Sequence, residues 1–172
     1  MCPTVAGGNN FWPAAYSRKT GLIYIPELEG CATVKRDQSR HVRGKFDGGG
    51  YADDGRLTSG LVVLDPATSE IKGRKNMPYP NSSGVLATAG GIIVTALLDG
   101  TIMALDDQTL EELWSINVGT GIDAPPMTYA VDGKQYIAIA TGLTRNQVGK
   151  LDNAPETKGL AKNATMIFVF GL

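Results

Sequence analysis

Two asparagines and two aromatic residues follow one another in the stretch GGNNFWPAAYSRKTGLIYIP, residues 7–26. A side-chain amide donates and accepts hydrogen bonds, so Asn9 and Asn10 could belong to a ligand site beside Phe11 and Trp12. Asparagine next to glycine is also an ordinary turn composition, and the four residues could equally be structural. We expect Asn9 to be structural and Trp12 to be a packing or rim residue.

Two acidic pairs are the next residues whose types suggest chemistry. Asp53-Asp54 and Asp106-Asp107 are neighbours in sequence, and such side chains usually diverge, so neither pair has the spaced oxygen ligands of a dedicated calcium loop. We therefore predict no metal site at either pair. The chain also shows no nucleophile elbow, phosphate-binding loop or zinc-ligand spacing.

The two cysteines, Cys2 and Cys31, lie on either side of the first predicted hairpin. A disulfide between them would close a loop of about 30 residues and stabilise the fold by roughly 3–4 kcal/mol in the chain-entropy model. It would also favour an oxidising compartment. Two unpaired thiols remain the alternative. The chain opens with polar, glycine-rich sequence after Met1, so we expect no signal peptide here.

Length and composition describe an ordinary globular chain. The 172 residues have the size of one domain, and the proportions of hydrophobic residues, 42%, and charged residues, 19%, argue against disorder. The net charge of −1 gives no electrostatic reason to expect nucleic acid or an anionic membrane as the main partner. No run approaches the ~20 apolar residues that cross a bilayer.

Short apolar runs between turn signals predict an all-β protein. The expected strands, about ten, lie at residues 11–16, 22–26, 60–64, 84–88, 91–96, 101–105, 112–117, 126–130, 135–141 and 165–170. Only residues 107–113 could form a helix, and that segment is too short to be stable alone.

Two polar loops, 27–58 and 144–162, interrupt the strand pattern. Loops of this length in a compact domain are usually functional or pack on something. The first loop contains a cationic run with the single histidine of the chain, for which a solvated loop is the simplest interpretation. The run consists of Lys35, Arg36, Arg40, His41, Arg43 and Lys45.

An internal repeat organises the strands. VLDPATSEIKG (63–73) and ALDDQTLEELW (104–114) align without a gap at an offset of 41 residues, and AYSRKTGLIYI (15–25) is a weaker third copy. We expect Asp65 and Asp106 to cap their turns by accepting backbone N–H bonds, with Thr68 and Thr109 closing them. A unit of about 40–50 residues has the size of one four-stranded propeller blade.

The repeat therefore predicts a single partial β-propeller domain over residues 1–172, with about 2.5–3 four-stranded blades. The blade repeats are expected around residues 9–26, 59–117 and 123–172. An open set of blades exposes sheet edges and apolar flanks. Further blades, or other copies of the chain, are expected to cover them.

The segment ALDDQTLEELW resembles the tryptophan-docking motif of quinoprotein alcohol dehydrogenases, in which Ala, Asp, Thr, Gly and Trp recur once per blade. Trp114 matches the tryptophan that docks between adjacent blades, and Leu110 stands where the family prefers Gly. In the earlier copy Ser69 and Gly73 replace the Gly and the Trp, so we expect a weaker blade junction there.

The resemblance extends over most of the chain outside the two polar loops. GGNNFWPAAYSRKTGLIYIP, SSGVLATAGGIIVTALLDGTIMALDDQTLEELW and VGTGIDAPPMTYAVDGKQYIAIATG are similar, in that order, to the C-terminal third of the methanol and ethanol dehydrogenase branch. The resemblance implies part of an eight-bladed propeller. It also implies the cofactor pyrroloquinoline quinone (PQQ), a calcium or lanthanide ion, and the oxidation of alcohols to aldehydes in the bacterial periplasm.

Few functional residues of the family match this chain. Asn10 matches the asparagine of the Gly-Gly-x-Asn-Trp motif, whose amide hydrogen-bonds the quinone edge, and Phe11 replaces the Trp that follows it. Ser83 lies where methanol-oxidising members carry a Trp beneath the cofactor, and Asn146 lies near the place of a second Trp. Cofactor contacts are thus expected from Asn10 and Phe11 and, secondarily, from Ser83 and Asn146. The lost aromatic residues predict a more polar cofactor floor and argue against methanol as the substrate.

The family's catalytic base, metal ligands and vicinal disulfide match no residues of this chain, so the isolated chain is expected to be inactive. The cationic run could then dock an acidic electron acceptor such as a cytochrome. The competing hypothesis is a non-catalytic β-propeller scaffold or protein-binding module, which the loss of the aromatic floor at Ser83 and Asn146 favours.

Overall fold

The computed structural model describes residues 1–4, 6–36, 43, 50–161 and 164–171. Thirteen strands form nearly half of this part of the chain, with one short helix, α1 (Arg145–Val148), and two 3₁₀ turns, Gly149–Leu151 and Pro155–Thr157. The strands are β1 (Ala15–Ser17), β2 (Leu22–Glu29), β3 (Ala32–Arg36), β4 (Gly50–Asp54), β5 (Thr58–Leu64), β6 (Ile71–Met77), β7 (Val85–Ala87), β8 (Ile92–Ala96), β9 (Thr101–Asp106), β10 (Glu112–Asn117), β11 (Met127–Val131), β12 (Lys134–Ala140) and β13 (Ile167–Gly171).

These strands form three main antiparallel sheets. Sheet I has the order β1-β2-β5-β6, sheet II the order β10-β9-β8-β7, and sheet III the order β11-β12-β13. A separate two-stranded sheet pairs β3 with β4. The prediction of an all-β protein is confirmed.

Three features of the architecture differ from the sequence-based expectation. The segments around 9–26 and 59–77 belong to one sheet because β2 pairs with β5 across the first polar loop. That loop is also not wholly irregular, since it contains β3 and β4. The weak third copy of the repeat, 15–25, forms the expected strand, turn and strand as the hairpin β1–β2. It joins the first and second strands of its sheet, whereas the other two copies join the third and fourth strands of theirs.

Sheet II lies between the other two sheets and buries both of its faces. One face contributes Ile93 and Leu105 to a core shared with Tyr24 and Leu61 of sheet I. The other face contributes Val94 and Ile102, with further small apolar residues, to a core shared with β12 of sheet III. Successive residues of a strand point to opposite faces, which explains why β8 reads as a continuous apolar run.

Leu110 fills the junction between sheets I and II. Its side chain is 9% exposed and belongs to the shared core. A Cβ built on Gly73 would lie 3.5 Å from Leu110 Cδ1, so this leucine occupies the space beside the position where the earlier repeat lacks a tryptophan. The weaker junction expected from Gly73 stays a prediction, but the site is packed rather than empty.

The outer faces of sheets I and III carry exposed apolar residues. On sheet I a row across all four strands joins Tyr16, Ile23, Leu64 and Ile71, and its two end residues are exposed. The outer face of sheet III exposes the residues Met127, Tyr129, Val131, Ile167 and Val169. Sheets I and II have four strands each, and sheet III has three.

The N-terminal segment is tied to the first polar loop. Cys2 and Cys31 form a disulfide. Next to it the Met1 carbonyl accepts a hydrogen bond from the Ala32 amide at 2.9 Å, and the terminal amine donates to the Ala32 carbonyl at 2.6 Å. These contacts fix the chain ahead of β1.

The described part of the second polar loop packs back onto the sheets. Leu151, Ala154 and Thr157 are buried, and Glu156 pairs with Arg56 of the first polar loop, with 2.6 Å between the carboxylate and guanidinium. The two polar loops therefore contact one another. None of the helices in the described residues is long and apolar enough to cross a membrane.

Candidate functional site

The segment Gly8–Trp12 leads into β1 and is held by β2. The Asn9 amide donates a hydrogen bond to the Pro26 carbonyl at 2.7 Å, and the Leu28 amide donates to the Gly8 carbonyl at 2.5 Å. Asn9 is therefore structural, as expected. Its neighbour Asn10 is exposed, and its side chain makes no hydrogen bond to the described part of the chain.

Phe11 and Trp12 form an aromatic step from solvent to core. Phe11 is 71% exposed, whereas Trp12 is 3% exposed and packs with Leu28 and Leu57. The two ring centroids lie 5.6 Å apart at an interplanar angle of 48°. Trp12 is a packing residue, and its buried Nε1 has no hydrogen-bond partner in the described residues. Phe11 thus offers an open ring that rests on a buried one.

Lys150 adds a cation to this step. Its Nζ lies 4.6 Å from the centroid of the Trp12 ring and 3.5 Å from Ser82 Oγ. A cation over a tryptophan face is attracted by the quadrupole of the ring. Sequence reasoning missed Lys150, because an isolated lysine in a polar loop has no local signal that distinguishes it from a solvated residue.

Ser83 is buried and fully engaged. Its hydroxyl donates to the Ala96 carbonyl at 2.7 Å and accepts from the Ala96 amide at 3.0 Å. Asn81 fixes the same turn: its Oδ1 accepts from the Ser83 and Gly84 amides, and its Nδ2 donates to Thr95 Oγ1 at 2.7 Å. Ser83 therefore joins β7 to β8, and its hydroxyl is already occupied by backbone groups.

Several predicted residues lie outside what the structure describes. The side chain of Asn146 is among them, as are those of Asp53 and Asp54. Half of the cationic run, Arg40, His41 and Lys45, lies outside the described residues, as does the side chain of Arg36.

The turns of the repeat are closed by aspartate and threonine side chains. Asp106 Oδ1 accepts from the Gln108 and Thr109 amides at 2.8 and 2.9 Å, and Asp65 Oδ1 accepts from the Ala67 and Thr68 amides at 2.8 and 3.4 Å. The backbone N–H of Thr109 is the main cause of a lowered pKa at Asp106, and that of Ala67 is the main cause at Asp65. Trp114 is half-buried, and its ring lies 5.6 Å from Phe170 of sheet III.

The two members of the Asp106-Asp107 pair diverge. Asp106 faces its exposed turn, whereas the Asp107 side chain is 1% exposed and pairs with Lys19 Nζ at 3.5 Å and Ser17 Oγ at 3.1 Å. The Tyr24 hydroxyl donates to the Asp107 backbone carbonyl. Asp107 is therefore a structural link between sheets I and II that sequence reasoning did not identify.

Asn10 and Phe11 fit one edge of a planar ligand with carbonyl or carboxylate groups. They supply an amide without a protein partner and an open aromatic ring, which are suited to hydrogen bonding and to stacking. Ser83 does not fit such a contact, because its hydroxyl is engaged. Among the described residues no group of three or more His, Cys, Asp or Glu side chains is placed to hold a metal ion.

Comparison with known proteins shows which proteins contain a similar segment. A family model described as "PQQ: Glucose/ethanol/alcohol dehydrogenase, beta-propeller domain" matches residues 58–137. The chain is 35% identical over 149 residues to a quinoprotein ethanol dehydrogenase of Pseudomonas putida, covering 83% of this chain and 23% of that protein. It is 37% identical over 145 residues to lupanine 17-hydroxylase [cytochrome c] of a Pseudomonas species, covering 81% and 20%.

This chain is homologous to a segment of the quinoprotein alcohol dehydrogenases. It spans about a quarter of the length of the curated relatives that it matches. A solved quinohemoprotein alcohol dehydrogenase from Pseudomonas putida HK5 superposes with a TM-score of 0.80 over 99% of this chain and 27% of that one, at 23% identity. The three sheets of this chain are accordingly β-propeller blades. Its aromatic step lies ahead of the first strand of the first blade, and Ser83 lies ahead of the first strand of the second.

Proposed function

We propose that this chain forms part of a PQQ-dependent alcohol dehydrogenase and contributes one edge of its cofactor site. The observation that carries the proposal is the exposed Asn10 amide, without a partner in the described residues, beside the open ring of Phe11. The matching position in the family contacts the quinone, and the relatives of this chain are quinoproteins. When bound, PQQ supplies the redox chemistry by accepting two electrons and two protons from an alcohol, which becomes an aldehyde.

The contribution of this segment is to orient the cofactor. The Asn10 amide would donate to a carbonyl or carboxylate oxygen, and Phe11 would cover part of a ring face. The rest of the site requires groups that these residues do not supply, namely a base and a calcium or lanthanide ion with its ligands. The 172-residue chain alone is therefore expected not to oxidise alcohols.

Other blades are the proposed partners of the outer sheet faces. The outer faces of sheets I and III carry exposed apolar rows, and the two faces of sheet II carry similar apolar residues that are buried against the neighbouring sheets. A blade stacked on each side would remove those rows from water. Self-association of the chain would achieve the same cover, and the mass in solution separates a monomer from larger species.

The periplasm is the proposed location, which the disulfide supports because such bonds persist in oxidising compartments. A cytochrome is the proposed electron acceptor. The cationic run of the first polar loop, from Lys35 to Lys45, is the proposed contact.

The cofactor role is tested by titrating the purified chain with PQQ in the presence of calcium while Trp fluorescence is followed. We expect saturable quenching that weakens in Asn10→Ala. Gln108→Ala is the matched control, because it removes another exposed amide, from the turn between β9 and β10. Equal quenching of all three proteins would remove Asn10 from the site, and no quenching of the unsubstituted chain would contradict the cofactor proposal.

A non-catalytic propeller scaffold is the second candidate. The engaged hydroxyl of Ser83 favours it, because the position beneath the expected cofactor neither stacks nor hydrogen-bonds a ligand. The same titration separates the two functions, since a scaffold binds no PQQ.

A further inference from the structure

One cationic side chain contacts the segments that precede the first strands of two blades. Lys150 lies in the 3₁₀ turn after α1, and its Nζ contacts both the Trp12 ring, at 4.6 Å from the centroid, and Ser82 Oγ, at 3.5 Å. Trp12 precedes β1, and Ser82 precedes β7, so these contacts lie ahead of the first strands of two adjacent sheets. Trp12 and Ser82 are both buried.

The cation is connected to the candidate cofactor edge through two rings. The inner ring, Trp12, has its face toward Lys150, and it lies against Phe11 at a centroid distance of 5.6 Å. Phe11 is the exposed ring next to Asn10. A rotation of the Trp12 ring would therefore change the surface on which Phe11 rests. The attraction between a lysine and a tryptophan face favours the orientation in which the Trp12 face is toward Lys150.

We propose that Lys150 is a positioning residue for an anionic aromatic ligand at the Asn10–Phe11 edge. It holds the Trp12 ring beneath Phe11. It also brings a positive charge to the segments that precede β1 and β7, and this charge favours a ligand that carries carboxylates. The inference rests on the proposed function, because PQQ is the ligand of this chemical class. Neither the family resemblance nor the sequence repeat assigns a role to Lys150.

The test uses Trp12 as its own reporter. The chain has two tryptophans, so a Trp114→Phe background leaves Trp12 as the only one while retaining an aromatic ring beside Phe170. In this background Lys150→Met removes the charge at similar length, Lys150→Arg keeps it, and Lys158→Met removes an exposed lysine from the same polar loop as the control. Far-UV circular dichroism identifies any variant that fails to fold, and Lys150→Gln replaces Lys150→Met in that case.

The first readout needs no ligand. Acrylamide quenching of Trp12 should increase in Lys150→Met, and it should stay unchanged in Lys150→Arg and Lys158→Met. The second readout is the dissociation constant for PQQ with calcium, which we expect to rise about threefold to tenfold in Lys150→Met, as a lost cation–π contact would give. Lys150→Arg should remain within about twofold of the parent.

The outcomes separate the inference from the function on which it rests. Unchanged acrylamide quenching in Lys150→Met would overturn the positioning of Trp12, and unchanged PQQ affinity would overturn the role of Lys150 in binding while the cofactor proposal survives. Failure of the parent chain to bind PQQ would overturn the proposed function and the ligand role of Lys150 together.

Discussion

Two equivalent turn positions, Ser69 and Leu110, both have a φ of 60°, in the left-handed region. This conformation costs a residue with a Cβ roughly 1–2 kcal/mol. Glycine adopts it freely but loses more backbone entropy on folding, a cost of roughly 0.5–1 kcal/mol relative to alanine. The backbone contribution alone should therefore raise the free energy of unfolding by about 0.5–1 kcal/mol when glycine is placed at either position.

The side chains give Ser69→Gly and Leu110→Gly opposite effects on the free energy of unfolding. Ser69 is exposed, so Ser69→Gly should raise the free energy of unfolding by about 0.5–1 kcal/mol. Leu110 is 9% exposed in the core between sheets I and II, and removal of a buried leucine side chain costs about 2–5 kcal/mol. Leu110→Gly should therefore lower the free energy of unfolding by about 1–4 kcal/mol.

Urea unfolding at neutral pH, followed by far-UV circular dichroism, measures both changes. Leu110→Ala is the matched control, because it removes the side chain but retains the backbone strain. It should be less stable than Leu110→Gly, the reverse of the usual order of alanine and glycine. A stabilising Leu110→Gly would show that the leucine does not fill the junction, and a destabilising Ser69→Gly would refute the strain argument.

Three further predictions concern the turns, the polar loops and the disulfide. The pKa of Asp106 is lowered, so the stabilising effect of its carboxylate is present above the ordinary pKa of 3.8 and is lost as the pH falls through the folded-state value. Urea unfolding should therefore show a larger loss of stability in Asp106→Ala at neutral pH than at about pH 3. An equal loss at both pH values would count against the charged turn. The same pH dependence is expected for Asp65→Ala. A double-mutant cycle on Arg56 and Glu156 should give a favourable coupling that shrinks as salt is raised to about 1 M, because exposed ion pairs are screened, whereas a salt-independent coupling would rule out the ion pair as its source. Thermal or urea unfolding of Cys31→Ala should show a loss of roughly 3–4 kcal/mol, and a loss below about 1 kcal/mol would mean that the closed loop hardly restrains the unfolded chain.

Local features of the fold could be predicted from the sequence. The strands of sheet II follow apolar runs bounded by glycine and aspartate turns, and the Asp–Thr spacing of the repeat places side-chain oxygens beside the backbone N–H groups two or three residues on. These interactions depend only on neighbouring residues. Strand β6 escaped prediction because its sequence, IKGRKNM, is polar and largely exposed at a sheet edge.

Within the candidate site, the sequence could single out Asn10 and Phe11 but not their surroundings. The resemblance placed both residues at a cofactor edge, and the structure leaves the side chains of both exposed. Ser83 could not be judged in the same way, because its partner, the Ala96 backbone, lies 13 residues away on the next strand. Whether a serine faces a ligand or a backbone group depends on strand register, which the side-chain pattern alone does not specify.

The sequence by itself determined the all-β class, the blade-sized repeat and the similarity to a segment of the quinoprotein alcohol dehydrogenases. Each of these depends on residue order within about 50 residues, the length of one repeat unit. The tertiary structure alone decided which distant groups meet: Asp107 with Ser17 and Lys19, the Leu110 side chain beside Gly73, and Lys150 over Trp12. Strand periodicity tells which face a residue is on, but its partner on that face depends on how separate sheets stack. That stacking joins residues up to about 140 positions apart, at distances that no local pattern encodes.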